Sequence, residues 1–146
     1  MADFAPQDTD FEARVRASFA RQRVMGTIGA RLLRVAPGEV EIGLAFREDL
    51  TQQHGYLHAG IVAAVVDSAC GYAAMSLAPA GAEVLSIEFK LNLLSPARGE
   101  SFVARARVKR AGRNVTVCAG DLYALEGESE KAVATMLATM MTTSRS

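Results

Sequence analysis

From Ala59 to Leu77 the chain is apolar or glycine at every position except Asp67, Ser68 and Ser76. A helix written this way has almost no polar face, so it predicts burial on all sides rather than a place on the surface. Its small residues, Ala59, Ala63, Ala64, Ala69, Gly71, Ala73 and Ala74, allow other backbone to approach closely, and Pro79 and Gly81 stop it. The rest of the chain must therefore wrap around this one helix. A membrane span is the other way to hide it, but Asp67 would then sit near mid-bilayer at a cost of about 2.5–3.5 kcal/mol. The stretch is also rich in Ala and Gly rather than Leu and Ile, which argues against a span. Asp67 is the anomaly in either case. A carboxylate that loses its water needs compensation, so Asp67 is either an ordinary acid hydrogen-bonded to strand backbone or a functional group.

The material for the wrapping is β. Leu32, Leu33 and Val35 lead to the turn pair Pro37-Gly38, and Val40, Ile42, Leu44 and Phe46 then alternate with polar or small residues. After the helix, Leu85, Ile87, Phe89, Leu91 and Leu93 give the clearest period of two. Phe102 to Lys109, Val115 to Asp121 and Val133 to Met141 follow, separated by turns at Ser95–Gly99, Ala111–Asn114 and Gly127–Glu130. At the N-terminus Thr9 and Glu12 fit a capping box, and Phe11, Val15 and Phe19 mark a short amphipathic helix ended by Gly26 and Gly29. The order is helix, strand, buried helix, four strands. One antiparallel sheet curled around a single long helix hides every apolar face, an α+β layout. The sequence divides into an N-terminal helical segment, 1–25, and a main body, 26–146, forming a single domain overall. A small sheet still leaves open edges and an apolar underside, which pairing with a second copy would cover.

Sixteen basic and sixteen acidic residues cancel among 146. That balance gives no reason to expect nucleic acid or an anionic membrane as a partner. Cys70 and Cys118 lie far apart inside apolar patterns and read as buried thiols in a reducing compartment, and the first residues lack a signal-peptide pattern, so a cytoplasmic location is expected. His54 and His58 have the i, i+4 spacing of a helical zinc pair, but they precede the helix and no third ligand is near in sequence, so no metal is expected.

Gly55-Tyr56-Leu57-His58-Ala59-Gly60, followed after six residues by Asp67, resembles the motif of the hot-dog-fold thioesterases of the PaaI-like (phenylacetic acid degradation) family. Ser86 to Ala97 is similar to that family's strand ending in a proline turn, and Lys109-Arg110-Ala111-Gly112-Arg113 to its coenzyme A-side turn. The resemblance runs from about Gly26 to Met141. It departs at Ala59, where the family has glycine; the role implied there belongs to the backbone N–H, which alanine keeps. The resemblance implies a hot-dog domain and an acyl-CoA thioesterase that needs no cofactor, coenzyme A being part of the substrate.

Thioester hydrolysis needs a base or nucleophile and a polariser for the carbonyl oxygen. Asp67 is the candidate for the first, attacking directly or activating water. The unpaired N–H groups at Ala59 and Gly60 are the candidates for the second. These lie eight residues apart, about 12 Å along a helix axis, so one thioester cannot touch both within one chain. A homodimer with antiparallel helices would bring them together, and a tetramer is compatible with the open sheet faces. The resemblance assigns Gln52 (or its neighbour Gln53) to the thioester or the water. His58 either hydrogen-bonds near the thioester or holds the loop. Ser86 either orients the water or is a solvated strand serine. Lys109, Arg110, Gly112 and Arg113, with Arg98-Gly99 as a second site, either contact coenzyme A phosphates or form a solvated basic hairpin. Tyr56, Phe19, Met25, Tyr72 and Met75 are candidates for the acyl pocket, which leaves aromatic and short- or medium-chain acyl groups both open. Two other readings compete. A hot-dog hydratase or dehydratase would carry a histidine five residues after the helix Asp, where this chain has Tyr72. A non-catalytic acyl-CoA-binding protein would have had no need to keep the Asp.

Overall fold

The computed structural model of the protein describes residues 3–144. Six strands, β1 (Arg31–Ala36), β2 (Glu39–Ala45), β3 (Ala82–Leu93), β4 (Ser101–Ala111), β5 (Val115–Glu126) and β6 (Ser129–Ser144), form one sheet in the order β1-β2-β4-β5-β6-β3. Every pairing is antiparallel. The α+β layout is the expected one, with one refinement. Two strands rather than one precede the long helix, because Pro37-Gly38 closes a hairpin with Gly38 at φ 76°. β5 also runs on to Glu126, past the alternation that ends near Asp121.

Helix α3 (Ala59–Met75) lies across the concave face of the sheet. The residues that face it are small or flat. Ala104 and Ala106 of β4, Gly120 of β5, and Ala134 and Ala138 of β6 are all buried beneath the helix. At Gly120 the approach is close: a Cβ there would stand 2.8 Å from both the Cys70 Sγ and the Val66 Cγ1. Larger residues (Ile42, Phe102, Leu122, Met140) are buried on the same sheet and fill the space around them. The helix is not buried all round, however. Gly60 is exposed, and Ala63, Ala64, Asp67, Ser68 and Gly71 are half-buried along one stripe. Because those residues are as small and apolar as the buried ones, the open face leaves no mark in the hydrophobic pattern. No helix among the described residues is long and apolar enough to cross a membrane.

The N-terminal segment departs from expectation in detail. The Thr9–Glu12 capping box does not form. Helix α1 (Phe11–Arg21) starts from Asp10 without a side-chain cap, and Asp8 instead accepts from the Asp10 N–H at 2.9 Å. The helix also breaks early, at extended Gln22, before α2 (Arg23–Ile28), which contains Gly26 and closes on Gly29 at φ 76°. Arg14 shows what the segment does. Its Nη2 donates to the carbonyls of Met75 (3.2 Å) and Ala78 (2.8 Å), its Nη1 to that of Pro79 (3.2 Å), and its Nε lies 3.0 Å from Asp8 Oδ2. Gln7 donates to the Leu77 carbonyl at 2.9 Å. The carbonyls at and just beyond the end of α3, which the helix itself cannot satisfy, are thus met by a cation at the negative end of the dipole.

Cys70 and Cys118 are buried, unpaired thiols, the Cys118 Sγ lying 3.4 Å from the Cys70 carbonyl oxygen. Burial pushes the Cys118 thiol up to about 12 and the Cys70 thiol higher still. Thiolate is the reactive form. Both cysteines should therefore resist an aromatic disulfide reagent at pH 8 in the native protein and react fully in denaturant; fast native labelling would contradict this packing. Arg14→Met should lower stability by about 2 kcal/mol in urea melts, since it strips charged hydrogen bonds from half-buried carbonyls. Arg16→Met, which breaks only the exposed Glu12 pair, should stay within about 0.5 kcal/mol.

Candidate active site

The approach to α3 is a tight loop. Thr51 bridges Leu57, the Gln52 N–H donates to the Tyr56 carbonyl at 2.9 Å, and Gly55 turns the chain at φ 84°. Within it the Gln52 side-chain oxygen accepts the His54 N–H (2.5 Å) and the Tyr56 N–H (3.4 Å). Its Nε2 is left without a partner among the described residues. His58 is the N-cap of α3: its Nδ1 accepts the Gly60 N–H at 2.8 Å. Of the two amides expected to be open at this helix start, Gly60 is therefore already engaged, while the Ala59 N–H meets no acceptor among the described residues. Gln52, Tyr56, Ala59, Val62, Leu93 and Pro96 line one open, mainly apolar cleft of about 500 Å³. Two donors, an amide N–H and a carboxamide NH₂, thus border a space that can take a carbonyl oxygen. Among the described residues no three His, Cys, Asp or Glu side chains gather as a metal site, and the His58 Nδ1 is occupied by the helix cap.

Asp67 lies on the open stripe of α3, two turns further on. The Ser86 hydroxyl of β3 donates to its Oδ1 at 2.6 Å. Asp67 is thereby oriented by a neighbour on the sheet, and it lines a smaller cleft of about 180 Å³ that also includes Ser68, Gly71, Tyr72 and Met75. A bulge in β3 between Ser86 and Glu88 sets the serine against the helix. The Asp67 cleft and the Ala59 cleft share no residue. Sequence reasoning missed the groups that α1 and the α1–α2 break add to the Asp67 cleft, Ser18 and Gln22. Phe19 packs edge-on against Tyr72, with ring centroids 5.8 Å apart, whereas Met25 is a core residue that lines neither cleft. Gln53 is exposed beside Gln52.

The basic turn between β4 and β5 stands apart from both clefts. Lys109, Arg110 and Arg113 are exposed and form no ion pair among the described residues, as does Arg98. Gly112 makes the turn possible, since a Cβ there would collide with the Val115 carbonyl oxygen. Lys109 points toward a cleft beside Phe4, and Arg113 toward one of about 500 Å³ formed with Pro79–Ala82, Asn114, Thr142 and Ser144.

Residues 54–131, which run from this loop through α3 and most of the sheet, match the family model of the thioesterase superfamily. The chain belongs to the thioesterase superfamily. Its fold is the hot-dog fold, and its class is thioester hydrolase. A thioesterase family protein from Silicibacter pomeroyi is 52% identical, with a TM-score of 0.91 over 92% of this chain and 99% of that one. Human acyl-coenzyme A thioesterase 13 is 32% identical over 69% of this chain and 71% of its own length. The PaaI protein of the Escherichia coli phenylacetic acid degradation operon shares the fold at a TM-score of 0.82 and 16% identity, covering 92% of this chain and 94% of that one. In this thioesterase the His58 cap can be tested by itself. His58→Ala should cost about 1 kcal/mol in thermal melts, while His58→Asn, which supplies another capping side chain, should recover most of it. Equal losses in both would mean that the ring is held for something other than the cap.

Proposed function

We propose that this thioesterase hydrolyses acyl-CoA to a free acid and CoA-SH, at a site shared between two chains. The observation that carries the reading is the position of Asp67, an acid on the open face of an otherwise apolar helix with one oxygen fixed by Ser86. Asp67 either takes a proton from the water that attacks the thioester carbon and passes it to the departing sulfur, or attacks that carbon itself to form an acyl anhydride that water then cleaves while protonating the thiolate. In both routes the C–S bond breaks, the free acid forms and CoA-SH leaves. The carbonyl oxygen gains negative charge in that step. The Ala59 N–H, at the positive end of α3, and the Gln52 Nε2 are the donors that receive it. No cofactor takes part beyond the coenzyme A of the substrate. Arg113, with Lys109 and Arg110, supplies charge for its phosphates.

Ala59 begins α3 and Asp67 lies at its middle, about 12 Å further along one rigid helix, so the acid of one copy works with the donors of another. Strand β3 provides the means. It is 12 residues long, pairs only with β6, and leaves Leu85 (61%), Phe89 (45%) and Leu93 (55%) exposed. Such an edge is prone to pair with another strand. A two-fold axis perpendicular to the strand joins two β3 strands antiparallel and sets the two α3 helices side by side, head to tail. The exposed outer-face residues Val115, Leu137 and Met141 offer a second contact for a tetramer. The free thiols fit a reducing, cytoplasmic setting.

Two variants test the shared site. Asp67→Asn should cut thiol release from acyl-CoA by about 10³-fold or more. Ala59→Pro removes the amide donor at the one helical position where proline is tolerated, after a His58 already extended at ψ 138°, and should cost about 10²–10³-fold in kcat. Mixing the two inactive proteins under conditions of subunit exchange should restore about a quarter of wild-type activity, because half the dimers are mixed and one site in each is intact. No recovery despite proven exchange would place the whole site within one chain.

A further inference from the structure

Strand β3 carries a symmetry that hydrolysis by itself does not require. Residues 85–93 read LSIEFKLNL. About Phe89, apolar residues answer apolar ones, polar answer polar, and the acid Glu88 answers the base Lys90. Both charged residues are exposed, and neither forms an ion pair among the described residues. Opposite Thr139 and Leu137 of β6 they share the outer face of the sheet, whereas Phe89, opposite the buried Ala138, shares the face that carries α3. Phe89 is nonetheless 45% exposed, on an edge strand that pairs with β6 alone.

The helix decides where the two-fold axis of the proposed dimer crosses this strand. For each acid to stand beside the partner's amide, the axis must lie level with Ala63, midway between Ala59 and Asp67. The Ser86 hydroxyl reaches Asp67 at 2.6 Å, and Leu93 lines one cleft with Ala59. Strand β3 therefore runs antiparallel to α3, and the level of Ala63 falls between Phe89 and Lys90. Directly opposed residues of paired strands share a face, so the axis passes through a residue and not between two. An axis at Glu88 opposes two glutamates, and one at Lys90 opposes two lysines, both destabilising. An axis at Leu91 opposes no like charges, but it moves the crossing by about 7 Å and the second copy by twice that, which parts Asp67 from the partner's Ala59. An axis at Phe89 sets Glu88 of each copy against Lys90 of the other. The bulge between Ser86 and Glu88 ends the regular alternation, so the regular pairing centres on these three residues.

We infer that β3 pairs with β3 of a second copy about Phe89, and that the reciprocal Glu88–Lys90 contacts select this register and so align the shared site. The inference rests on the proposed shared site and adds the contacts that set its geometry. Glu88 and Lys90 are positioning residues, since they touch no substrate.

Single cysteines measure the register. Phe89→Cys puts two thiols on directly opposed residues, with Cα atoms about 4.5–5.5 Å apart, within the reach of a disulfide. With Glu88→Cys or Lys90→Cys the two thiols stand on diagonal positions, about 7–8 Å apart, and out of reach. Diamide, which takes up the two thiol hydrogens, should link Phe89→Cys into a covalent dimer. It should leave the other two variants unlinked, as well as wild type, whose Cys70 and Cys118 are buried. A link at Glu88→Cys or Lys90→Cys instead, or at none of the three, overturns the register. Charge exchange tests the selection. Glu88→Lys and Lys90→Glu should each raise the dimer Kd by about tenfold or more. Mixed under subunit exchange, they should give about four-fifths or more mixed dimers by native mass spectrometry, against the half expected by chance. Both substitutions in one chain should restore dimer and kcat together. Mixing at the chance ratio overturns the role of the charges. The cross-link and the mass spectrum need no turnover. A Phe89→Cys link in a protein that hydrolyses no thioester keeps the register and removes the hydrolysis, whereas hydrolysis without that link keeps the reaction and removes the register.

Discussion

The close approach of the sheet to α3 is the constraint on which the rest of the molecule depends. Gly120 leaves no room for a methyl group against Val66 and Cys70, and the alanines of β4 and β6 extend the same shallow bed under the helix. A sheet that comes this near must curl. Curling covers three sides of the helix and leaves the fourth open along Gly60, Ala64, Asp67 and Gly71. The carboxylate therefore belongs at the rim of the core and not in its centre. There it keeps partial access to solvent and can be held by a single hydroxyl from β3.

The N-terminal segment serves this arrangement twice. Arg14 gathers the carbonyls at the end of α3, which fixes α1 across the helix terminus. With α1 fixed there, the break at Gln22 falls over the Asp67 cleft, where its side chain bridges Tyr72 and Ser68. A segment that serves as a cover for the core also supplies one wall of the site. One structural contact thus sets the position of Gln22 in the cleft wall, although Arg14 itself lines no part of the Asp67 cleft.

Much of the fold was legible because its strands carry the alternation of a half-buried sheet. Leu85 to Leu93 and Val133 to Met141 show it clearly, and both are strands. Asp67 stood out as the one acid in a long apolar run, whereas Ser86 was named by the family resemblance alone, since alternation put it on the polar face of its strand. What was illegible shares a different cause. The open stripe of α3 is hidden because alanine and glycine are equally suited to burial and exposure. The capping box was a local pattern overruled by Asp8, whose carboxylate is drawn to Arg14. The Arg14 clamp joins residues more than sixty positions apart, which no periodicity reveals. The engagement of Gly60 by His58 turns on a ring orientation, a matter of angles rather than residue types.

Strand β3 gives the proposed dimer a geometric logic. It carries Ser86, which orients the acid, and it presents the unpaired edge through which a second copy would approach. In the proposed dimer the same strand sets both the direction of the carboxylate and the distance to the partner's Ala59 amide. The rise of an α-helix fixes the spacing between Ala59 and Asp67 at about 12 Å, so neither end can adjust independently. A slip of β3 against β6 by one residue would turn its side chains to the opposite face and move Ser86 away from the acid, and a slip of β3 against its copy in the proposed dimer would shift the partner helix. Catalytic geometry and strand register are in this way one variable. In the proposed dimer, the pairing that covers the long open edge of β3 also aligns the site.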